Sequence, residues 1–116
     1  MEKKHVRLLS LQSEVVSWIK EKNVNFFDFL LKNRIIDKID YDLLIDPSTK
    51  IKYVKSGIYS SNAERFENRE IDGIHISFHA NNKIIKTEIS SKFEVELIFI
   101  KNIHDRPNKL KEILND

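Results

Sequence analysis

Cysteine is absent from this chain of 116 residues, which excludes disulfides, thiolate nucleophiles, Cys-ligated zinc and iron–sulfur clusters. A chain built this way suits a reducing compartment, and the cytosol is the expected location. Glycine and proline are almost as scarce, two of each, so no flexible linker, repeat or low-complexity tract interrupts the sequence. With only Gly57 and Gly73 to work with, glycine-rich phosphate loops are excluded, and no G-x-S-x-G elbow or EF-hand loop is present. No motif implies a cofactor. Long apolar runs are missing too: the chain opens Met1-Glu2-Lys3-Lys4-His5, and Ser10, Gln12, Ser13 and Glu14 break its first apolar stretch. Neither a signal peptide, nor a membrane span, nor a membrane partner is expected.

What is there is ordinary in amount and particular in kind. A composition that is 41% hydrophobic and 33% charged fits one globular domain over residues 1–116. Twenty Lys plus Arg against eighteen Asp plus Glu leave a net charge of +2, too little for the basic field of a dedicated DNA-binding domain. Fifteen Lys, 17 Ile and 10 Asn make up 42 of the 116 residues. All three have AT-rich codons, so this bias points to an AT-rich bacterial or phage genome before it points to a function.

The apolar spacing predicts two N-terminal helices. Leu8, Leu11, Val15, Trp18 and Ile19 recur at helical intervals, giving a helix from about Ser10 to Lys22 with Ser10 as N-cap, and Val6 to Leu9 as its first turn or a short strand. A second helix starts after a capping Asn25 and carries Phe27, Leu30, Leu31, Ile35 and Ile39 on its buried side, continuing to Lys38. Asp46-Pro47-Ser48-Thr49 has the residues of a type I turn and predicts an extra hairpin over 41–54. Ser61-Asn62-Ala63-Glu64 matches the capping box, with Phe66 anchoring the helix that follows. A short C-terminal helix is expected over Pro107 to Leu114.

The segment from Gly73 to Lys101 reads as an antiparallel meander with strands at about 74–79, 83–89 and 93–101. Its turns fall at Asn81-Asn82 and at Ser90-Ser91-Lys92. A two-residue first loop sets Phe78 opposite Ile85, Ile76 opposite Thr87 and Ile74 opposite Ile89. A three-residue second loop sets Ile89 opposite Phe93, Thr87 opposite Val95 and Ile85 opposite Leu97. Each register gathers the apolar side chains on one face, where a slip of one residue would invert a strand. The expected class is α+β, this sheet with the N-terminal helices packed on one face.

The opposite face then carries His75, Glu88 and Glu94 in one row, Ser77, Lys86 and Glu96 in the next, and His79, Ile84 and Ile98 in the third. Opposed carboxylates repel unless a cation sits nearby, and His75 supplies one; Lys86 and Lys92 lace the same face. His75 and His79 have the H-x-x-x-H spacing that joins two imidazoles at a metal on a helix. On a strand the same spacing is about 13 Å, so no metal site is expected. Ile84, Ile98 and Ile100 beside mixed charge suit either a further covering element or a docking surface. His104-Asp105-Arg106, with Arg65 and Arg69 as companions, has the residue types of a metal-independent ribonuclease, in which an imidazole moves a proton and arginine steadies phosphate charge. Lys50, Lys52 and Lys55 interleaved with Tyr53 and Tyr59 form one basic, aromatic stretch able to stack single-stranded bases.

These features lead to a non-enzymatic protein-binding domain that inhibits or adapts a partner, the immunity or antitoxin kind foremost. His75, Lys86, Glu88, Glu94 and Glu96 are the expected docking residues, and an acidic patch of this sort suits a basic toxin or nuclease. Second in order comes a small metal-independent ribonuclease or RNA-binding toxin using His104, Arg106 and Arg65, with nucleic acid as partner. Third comes a structural, phage-type subunit that assembles through the polar sheet face.

Overall fold

The computed structural model describes residues 2–59 and 72–115, with side chains described for Leu8, for 10–59 and for 72–105. The expected capping-box helix after Ser61, with Arg65 and Arg69, lies outside the described residues. The elements run α1 (Glu2–Glu21), α2 (Val24–Lys32), α3 (Lys38–Ile45), β1 (Ile51–Tyr59), β2 (Gly73–Ala80) and β3 (Lys83–Ser90); a 3-10 turn at Ser91–Phe93 then leads into α4 (Glu94–Asn115). The class is α+β, with a three-stranded antiparallel sheet in the order β1-β2-β3. No described helix is long and apolar enough to cross a membrane.

Helix α1 includes Val6 to Leu9 and buries Leu8, Leu11, Val15, Trp18 and Ile19, the stripe its 3.6-residue period dictates. It stops where Lys22 turns left-handed at φ 60°. There the Asn23 N–H donates to the Trp18 carbonyl at 2.9 Å and the Lys22 N–H to the Ile19 carbonyl at 3.2 Å, a Schellman closure. The Asn23 side chain then accepts from the Phe26 N–H at 3.1 Å, so Asn23 rather than Asn25 caps α2.

Helix α2 is shorter than its apolar pattern suggested. Arg34 turns left-handed at φ 61°, and the N–H groups of Arg34 and Ile35 close back on Leu31 and Leu30 at 3.0 and 2.8 Å. The chain after the break buries Ile36 and leaves Ile39 70% exposed. Asp37 caps the next helix by accepting from the Asp40 N–H at 2.9 Å. Residues 41–45 are therefore helical, and the expected hairpin over 41–54 does not form. The Asp46 turn does: the Ser48 N–H and hydroxyl each donate to its carboxylate at 2.9 Å, holding the Asp46 carboxyl below its ordinary range. It joins α3 to β1.

The β2–β3 hairpin has the expected register, with Ile74 opposite Ile89, Ile76 opposite Thr87 and Phe78 opposite Ile85; Asn81 takes the left-handed turn position at φ 56°. The remaining strand of the meander is not 93–101 but β1, which pairs with β2 and bulges between Ile51 and Val54. Residues 93–101 are helical because Phe93, Leu97 and Ile100 also fall at i, i+4 and i+7. Ser90 caps the 3-10 turn that leads into the helix, its hydroxyl accepting from the Lys92 N–H at 3.3 Å, and Glu94 and Glu96 lie in the first turn of α4, where the helix dipole favours acid. The C-terminal helix is present and begins thirteen residues before the expected Pro107, at Glu94.

Helices and sheet meet over one core. Ile74, Ile76, Phe78, Ala80, Ile85 and Ile89 are buried with Trp18, Phe26, Phe27, Leu30, Leu44 and Leu97, and each large side chain so enclosed contributes about 1.5–3 kcal/mol. Two polar groups on this inner face are satisfied: the Thr87 hydroxyl donates to the Ile76 carbonyl at 3.2 Å, and the Gln12 amide donates to the Ser56 hydroxyl at 2.8 Å. No described helix packs on the other face.

Candidate functional site

The expected polar rows survive in two of their three members. His75 lies opposite Glu88, Ser77 opposite Lys86 and His79 opposite Ile84. Glu94, Glu96 and Ile98 leave the rows because they belong to α4. Glu94 is only 1% exposed, and Glu96 pairs with Lys32 of α2 at 2.6 Å. Lys92 stands over the Phe93 ring, 5.2 Å from its centre, and Ile100 is in the core. A three-carboxylate patch is therefore not assembled, and among the described residues Glu88 is the one acid of β1 to β3.

The open face is built instead around rings. His75 lies opposite Gly57, and Tyr59 opposite Gly73. A Cβ at Gly57 would stand 2.8 Å from the His75 imidazole, and one at Gly73 would run into the Ile89 carbonyl of β3 and stand 2.5 Å from the Tyr59 hydroxyl. Each of the chain's two glycines thus lets an aromatic side chain from the next strand lie across the sheet. Packed down in this way, the Tyr59 phenol is pushed above its ordinary pKa, first by burial and then by the charges of Glu88 and Asp72. Next to this pair, Tyr53 meets the His79 ring edge-on, with centres 5.9 Å apart. The bulge in β1 sets Lys52 and Tyr53 against the single residue His79. Both are exposed, as are Lys55, Lys86 and Glu88. His75 and His79 sit four residues apart on β2, at the strand spacing that keeps two imidazoles from one ion.

His104 lies on α4, not in a loop, and its ring has three neighbours. Its Nε2 is 3.2 Å from Glu21, its Nδ1 is 3.3 Å from the Asn23 amide nitrogen, and the Trp18 ring stands edge-on with centres 6.5 Å apart. With the Asn23 amide donating to Nδ1, Nε2 carries the proton and donates to Glu21. Both ring nitrogens are used to tie α4 to the α1–α2 turn. Asp105 bridges Lys101 one turn back at 3.0 Å. The Arg106 side chain and all of Arg65 lie outside what the structure describes.

A second surface is one that the sequence pattern did not predict. Between α2 and α4 runs a groove of about 180 Å³ with Phe29, Phe99, Ile100 and Ile103 as apolar lining and Asn25, Asp28, Lys32 and Glu96 as polar rim. Of the lining Phe99 is 61% exposed, and Val95, one helical turn earlier on α4, is 71% exposed. On the rim the Tyr41 hydroxyl donates to Asp28 at 2.5 Å, which raises the phenol's pKa and fixes the carboxylate in place. The signal was in the sequence as the i, i+4 pair Val95 and Phe99, but the strand assignment set it within a sheet.

Fold and surfaces together define an α+β protein whose sheet is covered by helices on one side and, among the described residues, bare on the other. Among known proteins no family model, no curated protein and no solved structure matches the chain.

Proposed function

We propose that this is a non-catalytic protein-binding domain, an inhibitor or adaptor, and that it holds its partner through the α2–α4 groove. One observation carries the reading: Phe99 lines an apolar groove yet stands largely in water, as does Val95 one helical turn earlier, although burying a Phe side chain in a core contributes about 1.5–3 kcal/mol. Aromatic anchors at a groove mouth, ringed by charge, are the usual centres of protein interfaces. The rim carries Asp28 and Glu96 against Lys32, a net negative edge that suits a partner presenting an apolar knob flanked by Lys or Arg. Immunity and antitoxin-type inhibition of a basic toxin or nuclease is one form such binding takes. The intramolecular use of both His104 nitrogens favours binding over the ribonuclease alternative.

Photo-crosslinking tests this directly. A benzophenone side chain replacing Phe99 in native host cells is expected to capture one predominant protein, whereas the same group at Lys20 of α1 captures none. The Phe99→Glu variant is expected to fold normally and to lose that partner in a direct binding measurement with the purified pair. Equal labelling from positions 99 and 20, or undiminished affinity of Phe99→Glu, would reject the reading.

A further inference from the structure

We infer that the bare face of the sheet is a binding surface for single-stranded RNA, distinct from the groove between α2 and α4 and not dependent on it. Three observations converge there. Tyr53, Tyr59, His75 and His79 present four rings on two adjacent strands, and the two glycines beneath them hold His75 and Tyr59 down against the sheet. Flat rings on a sheet give splayed bases a place to stack, which a duplex with its bases already stacked cannot use.

Charge is the second observation. Lys52, Lys55 and Lys86 are exposed on these strands, and among the described residues no carboxylate pairs with them. Lys32, Lys38, Lys83 and Lys101 by contrast bridge Glu96, Asp42, Asp40 and Asp105. Three ammonium groups against Glu88 on the strands and Asp72 just ahead of β2 still leave this surface positive, the sign a phosphodiester chain requires. This local excess is hidden in a chain whose total is only +2.

The third observation separates RNA from DNA. Down the central strand His75, Ser77 and His79 put two imidazoles and a hydroxyl on the same face, and Ser77 lies between Lys55 and Lys86 in register. Those groups both donate and accept, as does the ribose 2′-hydroxyl that a deoxyribose lacks, and Ser77 with its flanking lysines offers them beside the rings.

Fluorescence anisotropy of a labelled oligouridine of about 12 nucleotides, within the usual span of such surfaces, tests the assignment on the full chain. Saturable binding is expected, tighter than to the matching oligothymidine and to duplex RNA. Tyr53→Ala is expected to weaken it by about tenfold or more, with Tyr53→Phe restoring it. Lys55→Gln with Lys86→Gln is expected to reduce the slope of log affinity against log salt by about 1.4, at roughly 0.7 for each phosphate left without its lysine. Lys20→Gln on α1 removes one charge elsewhere and should leave affinity within about twofold. These positions are exposed, and circular dichroism confirms that each variant is folded. No binding, full binding by Tyr53→Ala, or a loss in Lys20→Gln equal to that in the sheet variants would overturn the proposal. Oligothymidine or duplex binding as tight as oligouridine would overturn it as well.

Discussion

Lys22 and Arg34 hold the left-handed backbone positions at which helices α1 and α2 end, at φ 60° and 61°, places where glycine is the usual occupant. The chain has only two glycines, and both are in the sheet, each beneath a ring from the neighbouring strand. Side chains at such φ values cost about 1–2 kcal/mol, and glycine gives back about 0.5–1 of that as extra chain entropy on unfolding. Lys22 recovers part of the cost, since its ammonium donates to the Asp46 carbonyl at 2.7 Å. Arg34 is exposed and makes the better test. Arg34→Gly is expected to stabilise the fold by about 0.5–1 kcal/mol, read as a higher urea midpoint at unchanged slope. Arg34→Ala keeps the Cβ and should give no such gain. The scarcity of glycine was plain in the sequence, but which two non-glycine residues would bear the turns depended on where the helices met the core.

Elements were legible wherever local pattern and tertiary demand agreed. The β2–β3 register could be read residue by residue, because Asn81 marks the turn and one face of each strand is apolar. From Phe93 to Ile100 the apolar residues satisfy period 2 and period 3.6 together, so alternation could not decide between strand and helix. Cap chemistry decided it: Ser90 ahead, then Glu94 and Glu96 in the first turn. The same kind of signal, Asp37 accepting from the Asp40 N–H, made residues 41–45 helical and left the sheet's first strand to Ile51–Tyr59. Candidate sites inherited these outcomes. His75 and Glu88 were placed opposite each other because they lie within the legible hairpin. The Glu94 and Glu96 positions failed with the strand that carried them, and the α2–α4 groove needed packing between elements that no local pattern encodes. If Ser90 sets the start of α4, Ser90→Ala should cost about 1 kcal/mol. Ser90→Asp should retain most of the stability, with helical circular dichroism unchanged below each variant's transition. Calorimetry of the three proteins checks both.

At the scale of the whole molecule the shortest dimension is 23 Å, a sheet with one layer of helices. The buried members of α1 and α2 face the inner residues of the sheet, so the described helices are committed to one side of it. The α2–α4 groove is lined by helix residues alone, and the ring-bearing surface by strand residues alone. No residue is shared between them, and Trp18, Phe26, Phe78 and Ile89 form a core between the layers that packs as a solid rather than a fluid. The two proposed partners, a protein on the helical layer and an RNA strand on the sheet, would therefore not compete for the same residues. Substitutions at sites that are well separated and have no common neighbours combine additively to within about 0.3–0.5 kcal/mol. Phe99→Glu should thus leave RNA affinity within about twofold, and Tyr53→Ala should leave crosslinking from position 99 unchanged. The double variant should lose both by the sum of the separate effects. A loss of RNA affinity in Phe99→Glu beyond that margin would mean that the two layers are coupled through the core and that binding on one side reshapes the other.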